Sequence, residues 1–214
     1  VGDPDLASYI SIDDVKYPLI VPSGGSSGFK VKGPITVAAG GSAAYTVDFD
    51  LRKSIAERGS TGCYNLKPVL RVVDNAQVGT LAGSVDKDLL TVAGCTADTQ
   101  TGEGAAVYVF PGAGVTPDDH DNNPAEPLTT GMLTPVLDQN LVLTGFTYEV
   151  GFLLAGNYTV AFSCQAGDDL PPETSDPASG DDTDVIGPVV SFVQATDASI
   201  TANTTTPVDF TLAP

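Results

Sequence analysis

The chain has 214 residues, 42% of them apolar and 17% charged, with nine basic and 27 acidic side chains and a formal net charge of −18. That is enough apolar material to bury a core, and it excludes a disordered polyanion. The charge is divided sharply: residues 1–77 hold eight basic and eight acidic side chains, whereas 78–214 hold Lys87 alone against nineteen acidic ones. The division predicts two domains, a neutral one over 1–77 and an acidic one over 78–214. It makes nucleic acid and anionic membrane poor partners, because a single lysine cannot grip a polyanion.

The chain starts at Val1 with no initiator Met, no signal peptide and no apolar run long enough to cross a membrane; the expectation is a processed, secreted product or a fragment. Val, Ile, Tyr, Phe and Thr are abundant beside 23 glycines and 16 prolines, a mixture that favours short strands and tight turns. In the neutral half, strands are expected at Ala7–Ile12, Val15–Val21, Phe29–Lys32, Ile35–Ala38, Ala43–Leu51 and Leu66–Val73. The pattern is clearest where Tyr45, Val47, Phe49 and Leu51 alternate with Thr46, Asp48 and Asp50, the mark of a half-buried antiparallel strand. A single helical turn is expected within Leu51–Glu57.

In the acidic half, Gly79–Val85 and the near-continuous apolar Ala105–Phe110 are expected as strands. An acidic loop at Pro117–Pro127 follows, then strands at Leu141–Leu143 and Phe146–Phe152. Tyr158, Val160 and Phe162 alternate with Thr159, Ala161 and Ser163 within Gly156–Cys164. Residues 165–184 are rich in carboxylates and proline, which predicts an exposed loop, and Val189–Gln194, Ala198–Ala202 and Pro207–Leu212 complete the set. About seven short strands separated by turn signals argue for a β-sandwich. Cys95 and Cys164 stand at strand edges, and a bridge between them would close a loop of 69 residues, worth about 4 kcal/mol of chain entropy. Cys63 is left as a free thiol.

Leu153-Leu154-Ala155-Gly156-Asn157-Tyr158-Thr159-Val160, with Gly79–Val85 and Val107–Phe110 before it, resembles the prealbumin-like, carboxypeptidase-regulatory-like sandwich of secreted proteins. The upstream runs Val47-Asp48-Phe49-Asp50-Leu51-Arg52-Lys53-Ser54 and Leu66-Lys67-Pro68-Val69-Leu70-Arg71-Val72-Val73-Asp74-Asn75 resemble bacterial surface lipoproteins grouped as domain of unknown function 4382. Together the resemblances imply an all-β chain of two antiparallel sandwich domains, immunoglobulin-like or prealbumin-like. They also imply a bacterial, extracellular or cell-surface location. That lipoprotein family has a longer N-terminal region with a lipobox and further strands, so the neutral domain is expected to lack its first strands and to present an unpaired sheet edge.

Catalytic material is sparse. His120, the single histidine, sits within Asp118-Asp119-His120-Asp121, where a solvated loop would not poise it as a base against a buried nucleophile. No Gly-x-Ser-x-Gly elbow, phosphate-cradling loop or Cys-x-x-Cys pair occurs, and the expectation is a protein without catalytic activity. Asp119, Asp121 and Asn123 have the odd-position spacing of oxygen ligands to Ca²⁺, but Pro124 occupies the position where a helix-loop-helix calcium loop needs Gly. A plain solvated loop therefore stays open as the other reading, as it does for Asp168, Asp169, Asp181, Asp182 and Asp184. Asn157 and Asn203 begin Asn-x-Thr sequons whose glycosylation is unresolved.

A neutral half joined to an acidic one permits head-to-tail contacts and penalises acidic-to-acidic ones. The expected function is therefore structural: display at the cell surface, or self-association into a pilus-like filament. Lys30, Lys32, Arg52 and Lys53 are the expected contact residues, with Leu6–Ile12 or Val208–Leu212 as a strand offered to a neighbour. The rival expectation is a monomeric adhesive or carbohydrate-binding module, calcium-dependent in one version.

Overall fold

The computed structural model describes residues 8–12, 14–22, 31, 35, 37, 40–58, 61–120, 125–169 and 190–212. They form an all-β chain in several sheets, with one four-residue helical turn and one 3-10 turn among the described residues. Two compact units are distinguished, one made of residues 1–35, 47–72 and 171–187 and the other of 36–46, 73–170 and 188–214.

In the first unit, β1 (Tyr9–Ile12) and β2 (Val15–Ile20) make a hairpin that pairs Ile12 with Val15. Its turn contains Asp14 at φ 60°, a left-handed conformation that Asp tolerates through its short polar side chain. Strand β3 (Tyr45–Asp50) leads into a helical turn (Leu51–Ser54) that Asp50 caps, its carboxylate accepting the Lys53 N–H at 3.1 Å. The strand expected over Leu66–Val73 is broken into β5 (Tyr64–Leu66) and β6 (Val69–Asp74) at Lys67-Pro68. Ser54, buried in spite of its hydroxyl, spans the break: its carbonyl accepts the Lys67 N–H at 2.7 Å and its Oγ the Val69 N–H at 2.8 Å. With β4 (Ile55–Glu57) the four-stranded order is β1-β2-β5-β4, and β3 pairs with β6. Strand β2 runs parallel to β5, so the purely antiparallel expectation is corrected. The connection from β2 to β5 is long enough for a crossover, which a hairpin is not. The expected strands Phe29–Lys32 and Ile35–Ala38 lie largely outside the described residues. Apolar burial is meagre: among the described residues of these strands, only Ala56 and Val73 are buried apolar side chains, at 8% and 2% exposed.

The second unit concentrates the core. One sheet has the order β10-β11-β7-β14, built from β7 (Val78–Val85), β10 (Thr134–Leu137), β11 (Leu143–Leu154) and β14 (Thr205–Pro207). The other has the order β13-β12-β8-β9, from β8 (Ala106–Pro111), β9 (Thr129–Met132), β12 (Gly156–Ser163) and β13 (Gln194–Ile200). Leu81, Val85, Phe146, Tyr148 and Val150 of the first sheet and Val107, Val109, Val160 and Phe162 of the second share one apolar cluster. Each large side chain fully buried there contributes about 1.5–3 kcal/mol. Leu89 and Leu90, carried by the 3-10 turn Lys87–Thr91, join the same cluster.

Strand β11 takes in the expected Phe146–Phe152, but of the expected Leu141–Leu143 only Leu143 belongs to it, because Leu141, at φ 62°, lies in the turn closed on Asp138. Phe146, Tyr148 and Val150 face inward until a bulge, with Phe152 at φ 57°, re-aims the chain so that Leu153 is buried next. Strands β9 and β10 carry no clear alternation in the sequence; they are joined through buried Leu133, where the chain passes from one sheet to the other. The strands expected at Val189–Gln194 and Ala198–Ala202 are replaced by the single β13. Strand β8 is buried at Ala106 through Phe110 without alternation because both its faces are covered. Val107 and Val109 face the shared core, while Tyr108 and Phe110 face a second cluster with Ala161, Ala166 and Phe192.

Candidate functional site

Two polar arrangements in the second unit stand out, one on the outer face of β8 and one along β7. Tyr108 lies in a strand covered on both faces, so its hydroxyl needs a partner inside the protein. It donates to Asp169 Oδ2 at 2.7 Å, and Asp169 Oδ1 accepts the His120 backbone N–H at 3.0 Å. His120 Nδ1 lies 3.1 Å from Glu126 Oε2, and Asp119 Oδ2 accepts the Val190 N–H at 3.2 Å. Asp119, His120 and Asp169 are only 6%, 5% and 3% exposed. This corrects the expected solvation of His120 and the expected full exposure of the segment from residue 165, where Ala166 and Asp169 are buried. The cause is the aromatic surface of Tyr108, Phe110 and Phe192, which draws both acidic segments down onto the sheet. Both Asp169 oxygens are engaged by donors, so the arrangement acts as a brace between β8 and two loops.

Of the expected calcium ligands, Asp119 is buried and bonded as above, while Asp121 and Asn123 lie outside the described residues. Among the described residues, no group of three His, Cys, Asp or Glu side chains is arranged to hold a metal ion. Cys95, just after the 3-10 turn, and Cys164, at the end of β12, form a disulfide with a Cα–Cα distance of 5.1 Å. Cys63 is a free, half-buried thiol. Lys30 and Lys32 lie outside the described residues, Arg52 lies in the helical turn, and Lys53 is half-buried beside it.

The second arrangement seats the C-terminal segment. β14 pairs in parallel with β7, Thr205 opposite Thr80 and Pro207 opposite Ala82. Beyond it, Val208 N–H donates to Ala82 O at 3.0 Å, Phe210 N–H to Ser84 O at 2.9 Å, and Asp86 N–H to Phe210 O at 2.9 Å. Asp209 Oδ1 accepts both the Ser84 N–H at 2.8 Å and the Ser84 hydroxyl at 2.7 Å, and these two bonds hold its carboxyl below the ordinary aspartate range. Tyr148, whose pKa is pushed up by burial and then by the Asp209 charge, donates its hydroxyl to Val208 O at 2.7 Å. Phe210, 1% exposed, reaches the shared core, with ring centroids 6.2 Å from Tyr148 and 5.9 Å from Phe162. A side chain at position 83 would overlap the Val208 carbonyl, so glycine there lets the segment approach. Two glycines inside the Val78–Val85 strand, Gly79 and Gly83, were the available sequence signal for this seat. The Tyr108 brace had a fainter one, a lone hydroxyl inside an otherwise apolar run.

Fold and sites together define an all-β, disulfide-containing chain. Residues 3–68 match the family model described as Domain of unknown function (DUF4382). No curated protein and no solved structure matches the chain. Among the described residues, no helix is long and apolar enough to cross a membrane.

Proposed function

We propose that the chain is a non-catalytic structural protein of the bacterial cell surface or extracellular space, built as two β-sandwich domains with the acidic one prealbumin-like. In this reading copies associate head to tail into a filament. The observation that carries it is the contrast between the two units. The charge-balanced N-terminal region leaves Ile12, Val15, Val47, Leu51 and Val69 exposed, Leu51 at 62%. The unit holding most of the acidic residues also leaves apolar side chains exposed, Leu141 at 79% among them, but under a strongly negative surface, and it encloses a large apolar core that the described part of the first unit lacks. Exposed apolar groups on an electrically neutral surface favour association, and a strongly acidic surface opposes contact with its like.

Sedimentation velocity and negative-stain imaging of the full chain over a range of salt and calcium concentrations test this. Concentration-dependent oligomers and filaments are expected. A sharp monomer throughout, with no filaments, removes the assembly reading, and a monomer whose thermal stability rises with calcium favours the ligand-binding rival.

A further inference from the structure

We infer that the groove along β7 is a strand-binding site, and that its occupant in the assembled protein is the segment Thr204–Leu212 of a second copy of this chain. The inference rests on the assembly reading above and names the element that joins the copies; because this junction lies between acidic regions, its main-chain bonds and the Phe210 seat must outweigh their mutual repulsion. The groove selects its ligand by three features: the space at Gly83, the apolar seat of Phe210 between Tyr148 and Phe162, and the Ser84 donors that receive Asp209. An extended segment with a phenylalanine preceded by a carboxylate meets all three, and main-chain bonds to Ala82, Ser84 and Asp86 fix its direction.

Three observations favour exchange between copies. The segment lies at a sheet edge, with β7 as its ladder partner in that sheet, so it opens more readily than the strands inside. It also lies outside the loop closed by Cys95 and Cys164, so it can leave without breaking the covalent staple. Finally, it is joined to β13 by the short turn Thr201–Thr204, in which Asn203 is held at φ 59°. Extending that turn releases the left-handed residue, and the bonds and packing that the segment gives up in its own chain re-form in the identical groove of another. Because residues 78–214 carry nineteen acidic side chains against one lysine, copies meeting here repel one another at low ionic strength, and exchange should strengthen with salt.

The test uses a fluorescent peptide of residues 204–212 and full-length chains. The peptide is expected to bind the Phe210→Ala chain, whose own segment is weakened. A Phe210→Ala peptide should bind on the order of a hundredfold more weakly, and a Gly83→Val chain should not bind either peptide. Equal affinity for the two peptides, or binding undiminished by Gly83→Val, overturns the site. Should Phe210→Ala fail to fold, hydrogen exchange of the wild-type chain decides. The amides of Val208 and Phe210 are expected to exchange well before those of β8 and β12, and exchange only at the rate of global unfolding overturns the inference. Filaments that persist in Phe210→Ala remove strand exchange and leave the assembly reading standing. A wild-type chain that stays monomeric at every salt concentration overturns both.

Discussion

Replacing Tyr108 with Phe tests whether the Tyr108, Asp169 and His120 arrangement is a brace. The ring contacts of Tyr108 with Phe110 and Phe192, at 6.4 and 5.1 Å between centroids, are kept. What disappears is one hydroxyl that donates to a buried carboxylate oxygen at 2.7 Å. A hydrogen bond to a charged group is worth about 1.5–3 kcal/mol, so a loss of about 2–3 kcal/mol is expected. Asp169→Asn should be at least as costly, because one of its two accepting oxygens becomes an amide facing a donor. The double variant should recover part of the loss, with a coupling of about 1–3 kcal/mol. Urea unfolding followed by tyrosine fluorescence and far-ultraviolet circular dichroism supplies the four free energies. A coupling below about 0.5 kcal/mol would show that the two groups are merely adjacent and would refute the brace.

Replacing both Cys95 and Cys164 with Ala should lower stability by about 4 kcal/mol, since the closed loop is 69 residues long; calorimetry under non-reducing conditions measures it, and a loss under about 1 kcal/mol contradicts the loop-entropy argument. Gly83→Ala should destabilise the chain despite the ordinary preference for alanine in regular structure, because its methyl overlaps the Val208 carbonyl; an unchanged melting temperature would show that the segment is not seated against β7. Asp209, held below the usual aspartate range by Ser84, stabilises the fold above the unfolded-state value near pH 4, and that contribution is lost as pH falls through the lower folded value. Asp209→Asn should therefore be less stable than wild type at neutral pH, with the difference shrinking below about pH 4, and a difference that does not narrow in acid-limb unfolding titrations counts against the Ser84 pairing.

Alternation made two of the strands legible, one half-buried and one buried on both faces. Tyr45–Asp50 and Gly156–Ser163 fall within a residue or two of their expected bounds because their apolar residues repeat with the period of a pleated strand. The Lys67-Pro68 interruption was hidden by flanking valines and leucines, and only Ser54 reveals how the break is bridged. Strands β9 and β10 escaped because Thr, Gly and Pro dominate them and their inward contact is reduced to Gly131 and Leu133. The larger misreading concerned the acidic loop: composition marked it as solvated, yet Asp119 and His120 are buried beside Tyr108 and its aromatic neighbours. Local polarity does not report a contact made 49 residues away, such as that between His120 and Asp169.

The Cys95 to Cys164 link also dictates how a chain pulled from its two ends would carry tension. Force entering at either terminus would travel through the sulfur bridge and bypass β8 through β12, which lie between the two cysteines. Those strands would stay slack while the flanking segments lengthen. With 69 residues held out of the load path, the fully stretched molecule would be shorter by about 230–250 Å than its reduced form.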